Sequence, residues 1–166
     1  MYTTISDFKE DWTIESEATL KIFNNLTDES LKQQVTPEGR SLGFLAWHIT
    51  TSIGEMLNRV GLKTDSPAEN ATLPEAAAEI KAVYEKASMS VIEEILNNWT
   101  NETFLKEDDM YGEMWKRGKT LGVLVVHQIH HRAQMTILMR QAGLKVPGIY
   151  GPSKEEWAQF GMPALP

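Results

Sequence analysis

Histidine is the residue type whose spacing in this chain most directly suggests chemistry. The 166 residues include four histidines, His48, His127, His130 and His131. Because an α-helix turns by about 100° per residue, His127 and His131 are offset by only about 40° and share one helix face. A His-x-x-x-His pair at this spacing can direct two imidazoles at one metal ion. The spacing therefore predicts two ligands of a metal site on a single helix.

His48 is a third candidate ligand, although it lies far from this pair in the sequence. It stands in the apolar stretch 42–49, and burying an imidazole there without a partner would cost on the order of a few kcal/mol. An ion shared with His127 and His131 would remove that cost, since neutral imidazole is a common ligand of zinc, nickel, copper and iron. The alternative is that His48 is a structural hydrogen-bonding residue and that the pair binds nothing.

Three more polar residues lie close to these histidines in the helical pattern. His130 is one turn from His127 but with a less favourable offset of about 60°, so we place it at the edge of the site or in a hydrogen bond between helices. Gln134 follows His131 on the same face and either lines a pocket or bonds between helices. Glu55, two turns after His48, is a candidate acceptor for a ligand's N–H or a general base. An exposed carboxylate near the helix end is an equal alternative for Glu55.

Composition limits the chemistry and the partners. The chain has no cysteine, so the metal ligands must be nitrogen or oxygen, and any thiol chemistry must use a small-molecule thiol. Its net charge of −7 argues against nucleic acid and anionic membranes as partners. The N-terminus lacks the basic and apolar segments of a signal peptide, and we therefore expect a cytoplasmic protein. The length predicts a single domain spanning 1–166.

Helices must position the histidines, and the apolar periodicity predicts four of them. Their expected ranges are 6–26, 41–61, 72–98 and 120–143. Four helices without a convincing strand pair indicate an all-α four-helix bundle.

The helix ends and the connections carry their own signals. The tetrapeptide Thr72-Leu73-Pro74-Glu75 matches a capping box with an early proline at the start of the third helix. Gly143 suits the position that follows the last helix. Segment 100–119 is predicted to be an ordered loop with a small hairpin. The aromatic tail 144–166 is predicted to pack across the bundle.

Several motifs together resemble the DinB family, the DinB/YfiT-like proteins. The matching pieces are Trp47-His48, His127-x-x-x-His131-Arg132-x-Gln134 and the segment 143–152. The resemblance implies up-down-down-up connectivity of the four helices and a divalent ion held by His48, His127 and His131. It favours nickel or zinc, with iron, manganese or copper as alternatives, and it implies a homodimer.

The resemblance also bears on function, because some relatives use mycothiol or bacillithiol. It favours a metal-dependent enzyme acting on a small molecule, either a thiol-dependent S-transferase with a low-molecular-weight thiol or a hydrolase. The alternative is a non-catalytic, stress-related protein in which the ion only stabilises the bundle. No substrate-binding motif selects one reaction.

Overall fold

The computed structural model describes residues 1–164, and four long helices dominate it. They are α1 (Ile5–Phe23), α2 (Leu42–Arg59), α3 (Ala77–Asn98) and α4 (Arg117–Gln141). An antiparallel hairpin of β1 (Glu107–Met110) and β2 (Glu113–Lys116) precedes α4. Short 3₁₀ turns lie at Glu29–Lys32, Asn101–Leu105 and Trp157–Phe160. These elements confirm the predicted four-helix bundle and the hairpin in segment 100–119.

Hydrogen bonds between chain segments define the direction of the first and last helices. The Tyr2 N–H donates to the Gly118 carbonyl (3.2 Å), which places the start of α1 beside the start of α4. Further along the same two helices, Arg132 forms an ion pair with Glu15. Helices α1 and α4 are therefore parallel.

The two middle helices run the other way. The Ile5 N–H at the start of α1 donates to the Asn101 side chain (2.9 Å), just beyond the end of α3. The Ala77 N–H at the start of α3 donates to Asp28 (2.8 Å), at the segment that leads into α2. Helices α2 and α3 thus start at the same end, opposite to the start of α1. The connectivity is up-down-down-up, as predicted.

The start of α3 corrects one prediction. The helix begins at Ala77, and its N-cap residue, Ala76, has no side-chain capping bond, so Thr72-Leu73-Pro74-Glu75 does not form the expected capping box. The first N–H of the helix instead finds its acceptor in Asp28. The residues between α2 and α3 form neither a helix nor a strand, and the Ala71 carbonyl there accepts a hydrogen bond from the Trp47 indole. A tertiary contact has replaced the local cap.

The core lies between the four helices, and the C-terminal segment begins against it. Large apolar side chains from every helix are buried there, among them Phe8, Trp12, Ile53, Tyr84 and Leu124. In the tail, Val146 is buried, and Leu144 and Ile149 pack against the core. Tyr150 and Phe160 are largely exposed and Trp157 is partly buried, so two of the three aromatic rings of the tail pack less closely than expected. Residues 165 and 166 of the predicted tail lie outside the described residues. Within residues 1–164, no helix combines the length and apolarity needed to cross a membrane.

Candidate metal centre

The antiparallel packing of α2 against α4 brings three histidines to one point. Nε2 of His127 lies 3.1 Å from Nε2 of His48 and 3.1 Å from Nε2 of His131. The three rings meet edge to face, with centroids 4.5 to 4.9 Å apart. The structure therefore places the three predicted ligands together, with their Nε2 atoms directed at one another.

These distances suit a single metal ion. Ligand nitrogens about 2.1 Å from a zinc-sized ion lie about 3.0 Å apart at right angles and about 3.4 Å apart at tetrahedral angles. The two observed Nε2–Nε2 distances of 3.1 Å fall between those values. The donor set thus fits one ion bound through three Nε2 atoms.

Hydrogen bonding alone accounts poorly for the arrangement. His131 Nδ1 lies 2.8 Å from Gln134 Oε1; because an amide oxygen only accepts, Nδ1 carries the proton and Nε2 carries a lone pair. Nε2 of His127 can then donate to His131. A nitrogen that carries a proton has no lone pair left for a bond from His48. The single N–H of His127 could serve both neighbours only as a divided and weaker bond, whereas one cation accepts a lone pair from each of the three rings.

The electrostatic environment keeps the rings neutral. Burial, reinforced by the charges of His131 and His48, lowers the pKa of His127 to about 4. Burial is also the largest cause of the lowered pKa values of His48 and His131. At neutral pH the three imidazoles are therefore uncharged and able to act as ligands.

Gln134 connects His131 to His130. Its Oε1 accepts from His131 Nδ1, and its Nε2 donates to His130 Nε2 at 3.1 Å. His130 itself is exposed and stands outside the triad. For both residues the sequence allowed a hydrogen bond to another helix as one alternative. The observed hydrogen bonds instead join residues of α4 only. In contrast to Nδ1 of His131, the buried Nδ1 of His127 lacks a hydrogen-bond partner among the described residues.

Glu55 lies in the wall of a cleft of about 440 Å³ that also contains His48. Its Oε1 accepts from Arg59 Nε (3.1 Å), and its Oε2 accepts from the Tyr111 hydroxyl (2.7 Å). Tyr111 stands at the hairpin tip with φ of 61°, a backbone conformation that non-glycine residues rarely adopt. Glu55 is therefore near the site but bonded to the hairpin. Sequence reasoning missed Tyr111, although Tyr111-Gly112 has the glycine typical of a two-residue hairpin turn.

A second cleft, of about 720 Å³, lies beside His127 and His130. Val123 and Val126 of α4 line it together with Met1 and Tyr2 from the N-terminus. The triad thus has a polar cleft on the α2 side and a more apolar one on the α4 side. Both are large enough for a small molecule.

Comparison with known proteins identifies the family of the chain. The model of the DinB family matches residues 1–163. The chain belongs to the DinB family. Over 164 residues it is 44% identical to the uncharacterized protein YrdA of Bacillus subtilis (strain 168), a match that covers 99% of this chain and 98% of YrdA.

Two solved structures share the fold. A DinB-like protein from Bacillus cereus ATCC 10987 is 41% identical, with a TM-score of 0.87 over 90% of this chain and all of that one. A DinB-like protein from Bacillus subtilis, YjoA, is 18% identical, with a TM-score of 0.61 over 90% of this chain and 98% of that one. The second likeness shows the fold alone.

Proposed function

We propose that this DinB-family protein binds one divalent ion through the Nε2 atoms of His48, His127 and His131. We propose further that it is an enzyme that uses this ion in a reaction of a small molecule. The observation that carries the proposal is the convergence of three neutral imidazoles, with two Nε2–Nε2 distances of 3.1 Å. Within the described residues no carboxylate or fourth histidine joins this group. Three protein ligands are typical of catalytic rather than structural zinc sites.

The reaction proposed is thiol-dependent S-transfer or hydrolysis. A bound ion would supply an open coordination position at which a water or thiol has a lowered pKa. Nickel and zinc suit three imidazoles without sulfur, and iron, manganese and copper are the alternatives.

The chain's own residues would then orient the ligands and admit the substrate. Gln134 holds the His131 ring with its proton on Nδ1 and its lone pair on Nε2. Glu55 is the candidate proton acceptor in the polar cleft, and in that role one carboxylate oxygen has to exchange its bond to Arg59 or Tyr111 for one to the substrate.

Metal content tests the proposal directly. Protein purified without a histidine tag should carry about one ion per chain by mass spectrometry of the metal. The ion should be lost in His48→Ala and retained in His130→Ala, which removes a neighbouring imidazole outside the triad. Wild-type protein that holds no metal, and whose melting temperature a chelator leaves unchanged, would contradict the metal centre.

A second measurement separates an open site from a purely structural one. A small thiol added to the cobalt-loaded protein should change its visible spectrum, because sulfur binds at the open position. Full cobalt occupancy with no spectral change would mean a saturated site and would contradict the enzymatic role.

A further inference from the structure

Among the described residues, Arg40 differs from the other arginines in having no acidic partner. The chain has 23 acidic and 16 basic residues, and the four other arginines each form an ion pair. The pairs are Arg59–Glu55, Arg117–Asp108, Arg132–Glu15 and Arg140–Glu155. Across residues 1–164, no carboxylate lies within ion-pairing distance of Arg40. Its guanidinium donors thus remain available to a ligand.

A stack of rings connects Arg40 to the triad. The Arg40 guanidinium carbon lies 5.0 Å from the centroid of the Phe44 ring. The same ring stacks on His48, with centroids 5.8 Å apart and planes 17° from parallel. Phe44 and His48 line the polar cleft, so the guanidinium is one aromatic ring away from a proposed metal ligand.

The Arg40 guanidinium, stacked on Phe44 next to His48, places a positive charge near the triad. A fixed positive charge beside a cation site opposes metal binding. An anionic group bound between the two cations would offset that repulsion.

We propose that Arg40 binds the carboxylate of a small molecule whose other end reaches the ion held by His48, His127 and His131. Guanidinium presents paired N–H groups that match a carboxylate in two parallel hydrogen bonds. The stack on Phe44 holds the guanidinium in place, since a cation over the face of an aromatic ring is attracted to it. This inference rests on the proposed metal centre and narrows its substrates to small carboxylates.

The test uses a thiol probe with and without a carboxylate. Cobalt-loaded protein is titrated with 3-mercaptopropionate and with its methyl ester, and the sulfur-to-cobalt absorption band gives both dissociation constants. Wild-type protein should bind the acid roughly tenfold more tightly than the ester. Arg40→Gln should abolish that preference and leave ester binding unchanged. Arg140→Gln is the matched control, because it removes the same charge at the end of α4 and should keep the preference.

The outcomes separate this inference from the metal centre. If Arg40→Gln keeps the preference, or if Arg140→Gln loses as much of it, a local role of Arg40 is wrong. Wild-type protein that takes up one cobalt per chain and binds both thiols equally also overturns the role of Arg40 alone. If the wild-type protein takes up no cobalt, or if neither thiol changes the spectrum, the proposed function fails, and this inference fails with it.

Discussion

At the scale of single residues, one glutamine amide determines how a histidine can act. Gln134 accepts from His131 with its oxygen and donates to His130 with its nitrogen. The bond to His131 fixes which ring nitrogen carries the proton and leaves Nε2 free for an ion. Hydrogen bonds of this kind orient metal-binding imidazoles and raise their basicity.

Removal of this amide should weaken metal binding without abolishing it. We expect Gln134→Ala to raise the dissociation constant for zinc by about 10- to 100-fold, because the ring loses its orientation and its fixed proton. Competition with a chromophoric chelator measures the effect. His130→Ala is the control, since it leaves the bond from Gln134 to His131 intact and should change the constant little. Equal losses in both variants would assign the effect to His130.

At the scale of elements, close packing at the start of α4 depends on a glycine. A Cβ at Gly118 would overlap the carbonyl oxygen of Tyr2, whereas the atoms nearest to a Cβ at Gly122 lie 3.8 Å or more away. The close approach of the N-terminal segment to α4 at residue 118 therefore requires a glycine there. This approach also forms the hydrogen bond between Tyr2 and Gly118.

Alanine at these two positions should have different effects on stability. We expect Gly118→Ala to lower the free energy of unfolding by about 1–3 kcal/mol, because the backbone must shift to relieve the overlap. Gly122→Ala should leave it unchanged or raise it by up to about 1 kcal/mol, since alanine favours the helix. Urea denaturation of both variants measures the difference. A tolerated alanine at 118 would refute the close approach.

At the scale of the whole molecule, a buried ion pair joins the first helix, the last helix and the tail. Arg132 donates to Glu15 on α1 (2.6 Å), and the Tyr150 hydroxyl in the tail donates to the same carboxylate (2.8 Å). Only 3% of the Arg132 side chain and 10% of the Glu15 side chain are exposed. Breaking such a pair leaves one charge buried without its partner.

Loss of Arg132 should therefore destabilise the protein strongly. We expect Arg132→Ala to lower the free energy of unfolding by about 3–5 kcal/mol. Arg140→Ala, on the same helix but in an exposed pair with Glu155, should cost less than about 1 kcal/mol. Urea denaturation compares the two variants. Similar losses in both would show that burial of the Arg132 pair has no special effect.

Dimerisation also concerns the whole molecule, and the family resemblance leads us to expect a homodimer. Val126 and Ile137 are 64% and 55% exposed, and a separation of eleven residues puts them on one face of α4. We expect a dimer in light scattering coupled to size exclusion, and we expect Val126→Glu to shift it toward monomer. Met89→Glu, at an exposed site on α3, is the control. A monomeric wild-type protein would contradict the expectation.

Structural features that depend on residues close together in the sequence could be predicted from the sequence alone. The four helices follow from apolar periodicity, and Gly143 ends the last helical segment with φ of 74°. The shared face of His127 and His131 follows from helix geometry alone. The start of α3 was predicted wrongly because Asp28, which binds its first N–H, is 49 residues away.

Only the tertiary structure decided which distant groups meet. The packing of α2 on α4 brings His48 to the other two imidazoles, and the hairpin brings Tyr111 to Glu55. That Arg40 lacks an acidic partner within residues 1–164 follows from where the carboxylates of that part of the chain lie, which no local pattern encodes. The helical repeat and the conformation of glycine depend on a few neighbouring residues, so the sequence predicts them. Contacts across the bundle arise from the joint packing of its helices, so the sequence alone does not predict them.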